Sequence, residues 1–428
     1  MKRILLLPAV IFLFFISCHK NGSSVQSVTI SGLRPDSGAF GDYVSIVGHQ
    51  LSAPDSVTLN GKRCPVQNYN DDSIVISVPK AAGSGPVKIY IKDTVYTWPL
   101  FHFRYTSYVK TLAYCKDIHN ANAVGPEAGF IWPYGVAADT NGNVFVAGYS
   151  YTPYVRKLDS SGVFTAYAGD GNVGYRLGPA AQAEFGMDQY NIARDAQGNL
   201  AVYGRRDYKI YKIGTDGSVG LYAGRNDPGK GDVGLNVQGM AFNDKGELFY
   251  SNENYIKRVH LDGTVTNYIG DGSTNVYTLH PAPAEADTTT GLYVARAMCF
   301  DNKGNLIFGD GPYIRMCTPQ GRVKTLAGST EISPYVQDGP AAQATFYIIT
   351  GIVADKDGNL YVTEFSDRVR QLGTDGMVTT LSGGIRGFAD GPVVSAQFNN
   401  PYGIAIDKNG DLIVADKDNY RIRKIVIQ

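Results

Sequence analysis

The chain has 428 residues and balanced charge, with 39 Lys+Arg against 39 Asp+Glu. Zero formal charge excludes a nucleic-acid-binding surface spread over the chain, because nucleic acids are bound mainly by neutralising their phosphates. The 50 glycines and a charged fraction of only 18% indicate many turns and few charge-paired helices, so the composition predicts an all-β protein.

The chain begins with the pattern of an export signal. Two basic residues, Lys2 and Arg3, precede an apolar run over residues 4–16. This run is shorter than the about 20 residues that a membrane-spanning helix needs. We therefore predict a signal peptide over residues 1–17 that is removed from the mature protein.

The end of this segment resembles a bacterial lipobox. Its residues are Phe15-Ile16-Ser17-Cys18, with Phe15 where the family usually has leucine. The resemblance implies cleavage before Cys18, a palmitate-type lipid on its thiol and a lipidated linker over residues 18–25. His19 stands where some lipoproteins carry an inner-membrane retention aspartate, which favours the outer membrane of a Gram-negative cell. An ordinary secretory signal with an incidental cysteine is the alternative.

Four further cysteines are scattered along the chain, at Cys64, Cys115, Cys299 and Cys317. None forms a CxxC pair, and none of the six histidines lies at ligand spacing from a cysteine, so no metal site or cofactor is predicted. Buried free thiols are favoured. A pairing of Cys64 with Cys115 stays open, because connectivity cannot be read from a sequence.

Residues 26–104 contain short alternating runs between turns, which predict a small antiparallel sandwich. Three segments, Leu33-Arg34-Pro35-Asp36-Ser37-Gly38, Val57-Thr58-Leu59-Asn60-Gly61 and Gly85-Pro86-Val87, resemble an IPT/TIG domain. The resemblance implies an immunoglobulin-like fold and the role of a spacer or a protein-contact element.

Residues 105–428 repeat a short turn phrase six times at intervals near 54 residues. Its glycines are Gly142, Gly198, Gly246, Gly304, Gly358 and Gly410. Four short strands surround each turn, which predicts a six-bladed β-propeller. The sixth copy lacks its last strand. The N-terminal segment 109–113, identical in sequence to 323–327, is predicted to supply that strand and close the ring.

The last copy resembles an NHL repeat most clearly, through Asn399-Asn400-Pro401-Tyr402-Gly403-Ile404 and the later Asn419-Tyr420-Arg421-Ile422. This resemblance implies the propeller fold and leaves the activity open, because propellers host many unrelated functions. The regular glycine turns should share one face, and the variable loops the other. Since the N-terminal strand should run from the regular face to the variable one, the loop face is predicted to point away from the lipid anchor.

Residues near the start of each innermost strand, together with one loop tyrosine, are the candidate ligand-binding set. They are Trp132, Tyr134, Tyr151, Tyr190, Gln238, Arg296 and Tyr402. A tyrosine rim with arginine and glutamine suits sugar rings, which stack on aromatic faces and offer hydroxyls to polar groups. Packing of these tyrosines between blades is the alternative. Aromatics also crowd the loops between second and third strands, at Tyr149, Tyr154, Tyr208, Tyr255, Tyr313, Phe365 and Tyr420.

Two further patterns are predicted to be structural. Several blade connections contain a Gly-Pro pair followed by an Ala-rich turn and a phenylalanine, as at Phe185, Phe346 and Phe398, which should fill the gap between blades. Basic residues recur on the third strands, at Arg156, Lys257, Arg315, Arg370 and Arg423. We predict that these pair between blades with recurrent acids such as Asp310 and Asp416.

Together these features predict a non-catalytic envelope lipoprotein whose propeller loops capture a glycan or an envelope protein, with no catalytic residue assigned. One alternative is a propeller hydrolase, lyase or lactonase-like enzyme that uses a metal on the central axis. Asp310, Glu364 and Asp416, at the ends of second strands, and His119 and His280, in long connections, would be its candidates. A protein-protein scaffold is the other alternative.

Overall fold

A computed structural model describes residues 27–79, 82–103, 107–114, 132–150, 153–225, 231–234, 236–252, 254–273, 285–329 and 336–427. They form two compact units, one within residues 27–103 and one within 107–427. The described residues contain strands and two 3-10 turns, Ala180–Gln182 and Lys417–Asn419, and no α-helix. No helix in this part of the chain could therefore cross a membrane.

The first unit is a two-sheet sandwich. Its strands are β1 (Thr29–Arg34), β2 (Ser37–Gly38), β3 (Tyr43–His49), β4 (Ser56–Leu59), β5 (Lys62–Cys64), β6 (Val66–Tyr69), β7 (Ser73–Ser77), β8 (Gly85–Ile91) and β9 (Thr94–Phe103). The sheets have the orders β1-β3-β7-β6 and β2-β9-β8-β4-β5. Alternate residues point into the core, as Val44 and Ile46 do on β3. The predicted sandwich is confirmed.

The second unit consists of six sheets, numbered here as blades 1 to 6. The strand β10 (Tyr108–Tyr114) comes first in the chain. Blade 1 has β11 (Trp132–Ala138), β12 (Val144–Tyr149), β13 (Val155–Leu158) and β14 (Phe164–Ala168). Blade 2 has β15 (Gly178–Pro179), β16 (Gln189–Arg194), β17 (Leu200–Gly204), β18 (Lys209–Ile213) and β19 (Ser218–Gly224). Blade 3 has β20 (Met240–Phe242), β21 (Leu248–Asn252), β22 (Tyr255–Val259) and β23 (Val265–Ile269).

The remaining blades follow the same plan. Blade 4 has β24 (Glu285–Ala286), β25 (Ala295–Phe300), β26 (Leu306–Asp310), β27 (Tyr313–Cys317) and β28 (Val323–Ala327). Blade 5 has β29 (Gly339–Pro340), β30 (Ile349–Ala354), β31 (Leu360–Glu364), β32 (Arg368–Leu372) and β33 (Met377–Gly383). Blade 6 has β34 (Gly391–Pro392), β35 (Pro401–Ile406), β36 (Leu412–Asp416) and β37 (Arg421–Val426).

The inner strands close into a ring. β11, β16, β20, β25, β30 and β35 each contact the next in this order, and β35 contacts β11. The inner strands approach so closely that only glycine fits at some contacts, since a Cβ at Gly403 would lie 2.5 Å from the carbonyl oxygen of Tyr134. The six-bladed propeller is confirmed.

The strand β10 completes blade 6. It pairs antiparallel with β37, with Thr111 opposite Arg423. The backbone N–H of Thr111 donates to Asp390 Oδ2 at 2.9 Å, just as that of Thr380 in β33 donates to Asp338 Oδ2 at 2.7 Å. The N-terminal segment therefore occupies the position of a fourth strand, as predicted.

The repeated turn phrase forms the same hydrogen-bonded loop in each blade. In blade 5, Asp355 Oδ1 accepts the backbone N–H groups of Asp357 at 2.9 Å and Asn359 at 2.8 Å. Gly358 has a φ of +92°, which a residue with a Cβ adopts only with strain. Because the strands alternate in direction, these turns share one face, and the loops from second to third strands lie on the other.

The connections between blades also have the predicted structural role. Gly178-Pro179, Gly339-Pro340 and Gly391-Pro392 each add a two-residue strand to the outer edge of the following blade. The phenylalanines that follow, Phe185 and Phe346, are fully buried in clusters with side chains from both adjoining blades. Sheet edges are thus covered and the gaps between blades filled.

Buried ion pairs join the second and third strands of blades 4, 5 and 6. Arg315 lies 3.0 Å from Asp310, Arg370 lies 3.0 Å from Glu364, and Arg423 lies 2.6 Å from Asp416. These side chains are 3% exposed or less. The predicted pairing is confirmed for Arg315, Arg370 and Arg423, but its predicted placement between blades is wrong, because each of these pairs lies within one blade.

The same acid also holds the start of its blade's inner strand. Asp416 Oδ1 accepts the backbone N–H of Asn399 at 2.9 Å, and Glu364 Oε2 accepts that of Tyr347 at 2.9 Å. Burial raises the pKa of Asp416 to about 6, and it raises the pKa values of Asp310 and Glu364, while the paired arginine opposes the shift in each case. Each acid thus links the second and third strands of its blade to the start of the inner strand. We call these acid–arginine pairs, Asp310–Arg315, Glu364–Arg370 and Asp416–Arg423, the blade clasps.

Three cysteines, Cys64, Cys299 and Cys317, are free. Burial raises the pKa of the Cys64 and Cys299 thiols to about 12. Burial also raises the pKa of the Cys317 thiol. Cys18 and Cys115 lie outside the described residues.

Candidate ligand-binding site at the mouth of the propeller

Three tyrosines from consecutive inner strands meet at the loop-side mouth of the ring. The ring of Tyr134 on β11 lies 4.4 Å from that of Tyr190 on β16 and 5.0 Å, edge-on, from that of Tyr402 on β35. Burial and the hydroxyl of Tyr190 raise the pKa of Tyr134, so its phenol is neutral and donates or accepts hydrogen bonds at neutral pH. The three rings therefore form a continuous aromatic floor, of which Tyr134 and Tyr190 are partly exposed and Tyr402 is 9% exposed.

Arg296 and Gln238 complete this floor on the side of blades 3 and 4. Arg296 Nη1 donates to Gln238 Oε1 across the gap between those blades. Burial raises the pKa of Tyr402, whereas Arg296, which is hydrogen-bonded to its hydroxyl, opposes that shift. The contact joins Arg296 to the tyrosine cluster.

Trp132 lies at the rim. Its ring is 5.1 Å from that of Tyr149, and Lys417 Nζ lies 6.0 Å from the Trp132 ring and 5.5 Å from the Tyr134 ring. The structure thus brings together six of the seven predicted residues. Tyr151, the seventh, lies outside the described residues.

Arg205, which the sequence analysis did not single out, covers the floor from the loop after β17. Its guanidinium carbon lies 5.1 Å from the centre of the Tyr190 ring, and Nη1 donates to the Tyr190 hydroxyl at 3.2 Å. The position departs from the repeat, because the strand before it ends in glycine where blades 4, 5 and 6 have an acid. This departure from the repeat is the sequence feature that could have pointed to Arg205.

Two adjoining cavities open beside Arg205. The smaller, about 130 Å³, is lined by Tyr190, Tyr203, Arg205, Asn236, Val237, Gln238 and Tyr402. The larger, about 460 Å³, is lined by Asp188, Arg205, Arg206, Tyr208 and Asn236. Because both contain Arg205 and Asn236, they form one groove over blades 2 and 3, in the size range of small-molecule sites.

The larger cavity has a buried acceptor in its wall. Asp188 is 4% exposed, and its Oδ2 accepts a hydrogen bond from Arg206 Nε at 3.0 Å. Its Oδ1 has no hydrogen-bond partner within the described part of the chain. Tyr208 adds an aromatic ring to the lining of this cavity, and the guanidinium carbon of Arg225 lies 5.0 Å from the centre of that ring. The groove therefore combines donors, an acceptor and aromatic faces.

Below the mouth, the cavity in the central channel has a volume of only about 60 Å³. All six inner strands line it, with Val136, Ile192, Met240, Met298, Ile352 and Ile404 among the apolar residues. A ligand the size of a sugar would therefore rest on the tyrosine floor and in the groove, not in the channel.

The other loop aromatics divide between packing and the site. Tyr154 and Tyr313 are 5% exposed, and the Tyr154 hydroxyl donates to the carbonyl of Asp170 at 3.1 Å. Phe365 lies 6.1 Å from Tyr402, and Tyr208 lines the groove. The packing alternative thus holds for Tyr154 and Tyr313.

The three acidic candidates for a catalytic centre are tied up in buried ion pairs. Asp310, Glu364 and Asp416 are fully buried in the blade clasps. His119 and His280 lie outside the described residues. Within the described ranges, no three His, Cys, Asp or Glu side chains group as a metal site would require.

Comparison with known families identifies both architectural parts. The IPT/TIG domain family matches residues 28–103, the NHL repeat family matches residues 398–425, and a β-propeller repeat family matches residues 129–154. The chain thus contains an IPT/TIG domain and NHL-type propeller repeats, which confirms both resemblances.

Solved structures share the whole architecture at low sequence identity. A protein of unknown function from Bacteroides thetaiotaomicron is 19% identical to this chain in sequence and superimposes on it with a TM-score of 0.63. The match covers 95% of this chain and 99% of that protein's chain. Proteins described as auxiliary nutrient binding proteins, from Bacteroides thetaiotaomicron and Bacteroides ovatus, are each 17% identical with TM-scores of 0.56 and 0.54. They cover 94% of this chain and 98% and 99% of their own. These likenesses establish the fold.

Curated relatives match only in part. The SUPPRESSOR OF QUENCHING 1 protein of Arabidopsis thaliana is 37% identical over 91 residues, which are 21% of this chain and 9% of that protein. Teneurin-m of Drosophila melanogaster is 27% identical over 218 residues, which are 44% of this chain and 8% of that protein. The chain thus spans less than a tenth of the length of these relatives.

Proposed function

We propose that the protein is a non-catalytic binding protein of the bacterial cell envelope that captures a glycan at the mouth of its propeller. One observation carries this proposal: Tyr134, Tyr190 and Tyr402 form a floor, and Arg205 and Gln238 border a groove beside it. Sugar rings stack on aromatic faces, and their hydroxyls bond to such polar groups.

The groove supports a polyhydroxylated ligand in a second way. The exposed Arg205 and Arg206 offer donors in the larger cavity, and the Asn236 amide and the Tyr208 hydroxyl, which line it as well, can donate and accept. A sugar presents donors and acceptors side by side, so it can bond to both kinds of group. The solved structures described as nutrient binding proteins support the same class of function.

The remaining parts of the proposal concern location. The signal segment 1–17 would be removed, Cys18 would carry a lipid in the outer membrane, and the IPT/TIG domain within residues 26–104 would act as a spacer for the propeller of residues 105–428. Replacing Cys18 with serine should move the protein from the membrane fraction to the soluble fraction. Retention of the variant in the membrane fraction would contradict lipid anchoring.

Replacing Tyr190 with alanine is expected to weaken glycan binding about tenfold, because an aromatic stacking contact contributes about 1 kcal/mol beyond the area it buries. Calorimetry with the tightest ligand of a broad glycan panel measures this effect. Tyr190→Phe keeps the ring and should retain most of the affinity.

Tyr175→Ala is the matched control for this substitution. Tyr175 is 45% exposed on the connection between blades 1 and 2, outside the residues that line the groove. Its loss should leave affinity unchanged. Absence of binding across the panel, or equal losses for both alanine variants, would contradict the proposal.

A further inference from the structure

Arginines in this propeller are commonly matched by a carboxylate. Arg315, Arg370 and Arg423 pair with acids inside their blades, and Arg206 pairs with Asp188 at 3.0 Å in the wall of the groove. Each of these guanidinium charges is therefore compensated by the protein itself.

Two arginines at the mouth have neutral partners instead. Arg205 donates to the Tyr190 hydroxyl, and Arg296 donates to Gln238 and contacts the Tyr402 hydroxyl. Within the described ranges, neither guanidinium has a carboxylate within ion-pair distance, whereas Arg206, next in sequence to Arg205, does. The two charges come from blades 2 and 4, and both lie close enough to Tyr402 to act on its hydroxyl.

The charge balance of the groove leaves Arg205 uncompensated. Arg205 is the one charged residue among the described residues that line the smaller cavity. In the larger cavity, Arg206 pairs with Asp188, so the charge of Arg205 again has no ion-pair partner among the described lining residues. Counted over the described residues that line it, the groove thus carries a net positive charge beside the tyrosine floor.

The guanidinium of Arg205 also has free hydrogen-bonding capacity. Of its nitrogens, Nη1 alone has a partner among the described residues, and a guanidinium has five N–H donors in a planar fork. Such a fork binds a carboxylate or a sulfate through two parallel hydrogen bonds. The contact with the Tyr190 ring holds the fork at the edge of the surface on which a sugar would stack.

We propose that the captured glycan is anionic, with a uronate carboxylate or a sulfate ester bound by Arg205 while the sugar ring rests on the tyrosine floor, and with Arg296 adding to the attractive potential. This inference rests on the proposed glycan-binding function and specifies its ligand class. Neutral partners keep the two guanidinium groups in place without cancelling their charge, which is the arrangement an anion site needs.

Three trisaccharides of one backbone test this inference by calorimetry on the full chain: α-1,4-linked galactotriose, its uronate counterpart trigalacturonate, and a 6-sulfated galactotriose. At least one anionic trimer should bind about tenfold more tightly than galactotriose, since hydrogen bonds between charged groups are stronger than those between neutral groups. That preference should shrink with added salt. The two anionic arms distinguish a carboxylate from a sulfate.

Arg205→Met should abolish the preference, because it should weaken the binding of both anionic trimers much more than the binding of galactotriose. Arg176→Met is the matched control, because it removes the same charge from a connection where Arg176 is already paired with Asp170 at 2.9 Å. It should retain the preference, and thermal unfolding of both variants checks their fold.

The outcomes separate this inference from the function on which it rests. Tyr190-dependent binding of galactotriose as tight as that of both anionic trimers would overturn the anion site and keep glycan capture. An anionic preference that survives Arg205→Met would also overturn it. Failure of every trimer and of the whole glycan panel would overturn both.

Discussion

Replacing Arg370 with methionine is expected to lower the free energy of unfolding by about 3–5 kcal/mol, because it leaves Glu364 buried without its counter-charge. The Arg370 side chain is fully buried and donates to Glu364 Oε1 at 3.0 Å and to the carbonyl oxygen of Thr345 at 2.6 Å. It also reaches Asp338 at 2.9 Å. Equilibrium denaturation measures the loss.

Two further variants make this prediction specific. Arg386→Met removes an arginine that is 68% exposed and 3.1 Å from Asp367, so it should cost at most about 1 kcal/mol. The double variant Arg370→Met/Glu364→Leu should be more stable than Arg370→Met alone, because it removes the uncompensated charge as well. Equal losses for Arg370→Met and Arg386→Met would contradict the role of the clasp.

Replacing Val109 with aspartate is expected to destabilise the propeller by about 4 kcal/mol, because an unpaired charge would be buried in the closing strand. Val109 is 1% exposed and lies opposite Ile425 on β37. Lys110, its neighbour on β10, is exposed, so Lys110→Asp should stay within about 1 kcal/mol of the natural protein. Thermal unfolding of the two variants measures the difference.

This comparison tests ring closure directly. If β10 did not complete blade 6, both aspartate variants would unfold at the temperature of the natural protein. A large loss for Val109→Asp alone supports closure, since the two variants place the same carboxylate on opposite sides of the strand.

The ring closure could be predicted from the sequence because it depends on a local pattern. Residues 109–113 repeat the fourth strand of blade 4, and the last blade lacked that strand. The pairing of Arg370 was predicted with the wrong geometry. Val362 lies opposite Arg370 on the ladder, so Glu364, two residues along on the same side, is its diagonal neighbour within one sheet.

The tyrosine floor was equally accessible to sequence reasoning, since each repeat places the same position at the mouth. The groove was not. Arg205 lies in a loop, and its position over Tyr190 depends on how that loop folds back. Asp188 and Asn236 have positive φ values of 70° and 60°, a backbone state that the repeat pattern does not specify. Side chains on such segments are set by tertiary contacts.

Hydrogen exchange with and without the tightest glycan of the panel tests the capture surface most directly. We expect binding to slow amide exchange in segments 204–208 and 236–240, which border the groove and lie next to the tyrosine floor. The glycine turns 355–359 and 407–411, on the opposite face, should exchange at unchanged rates. Slowed exchange confined to those turns, or to residues 27–103, would contradict glycan capture at the mouth of the propeller.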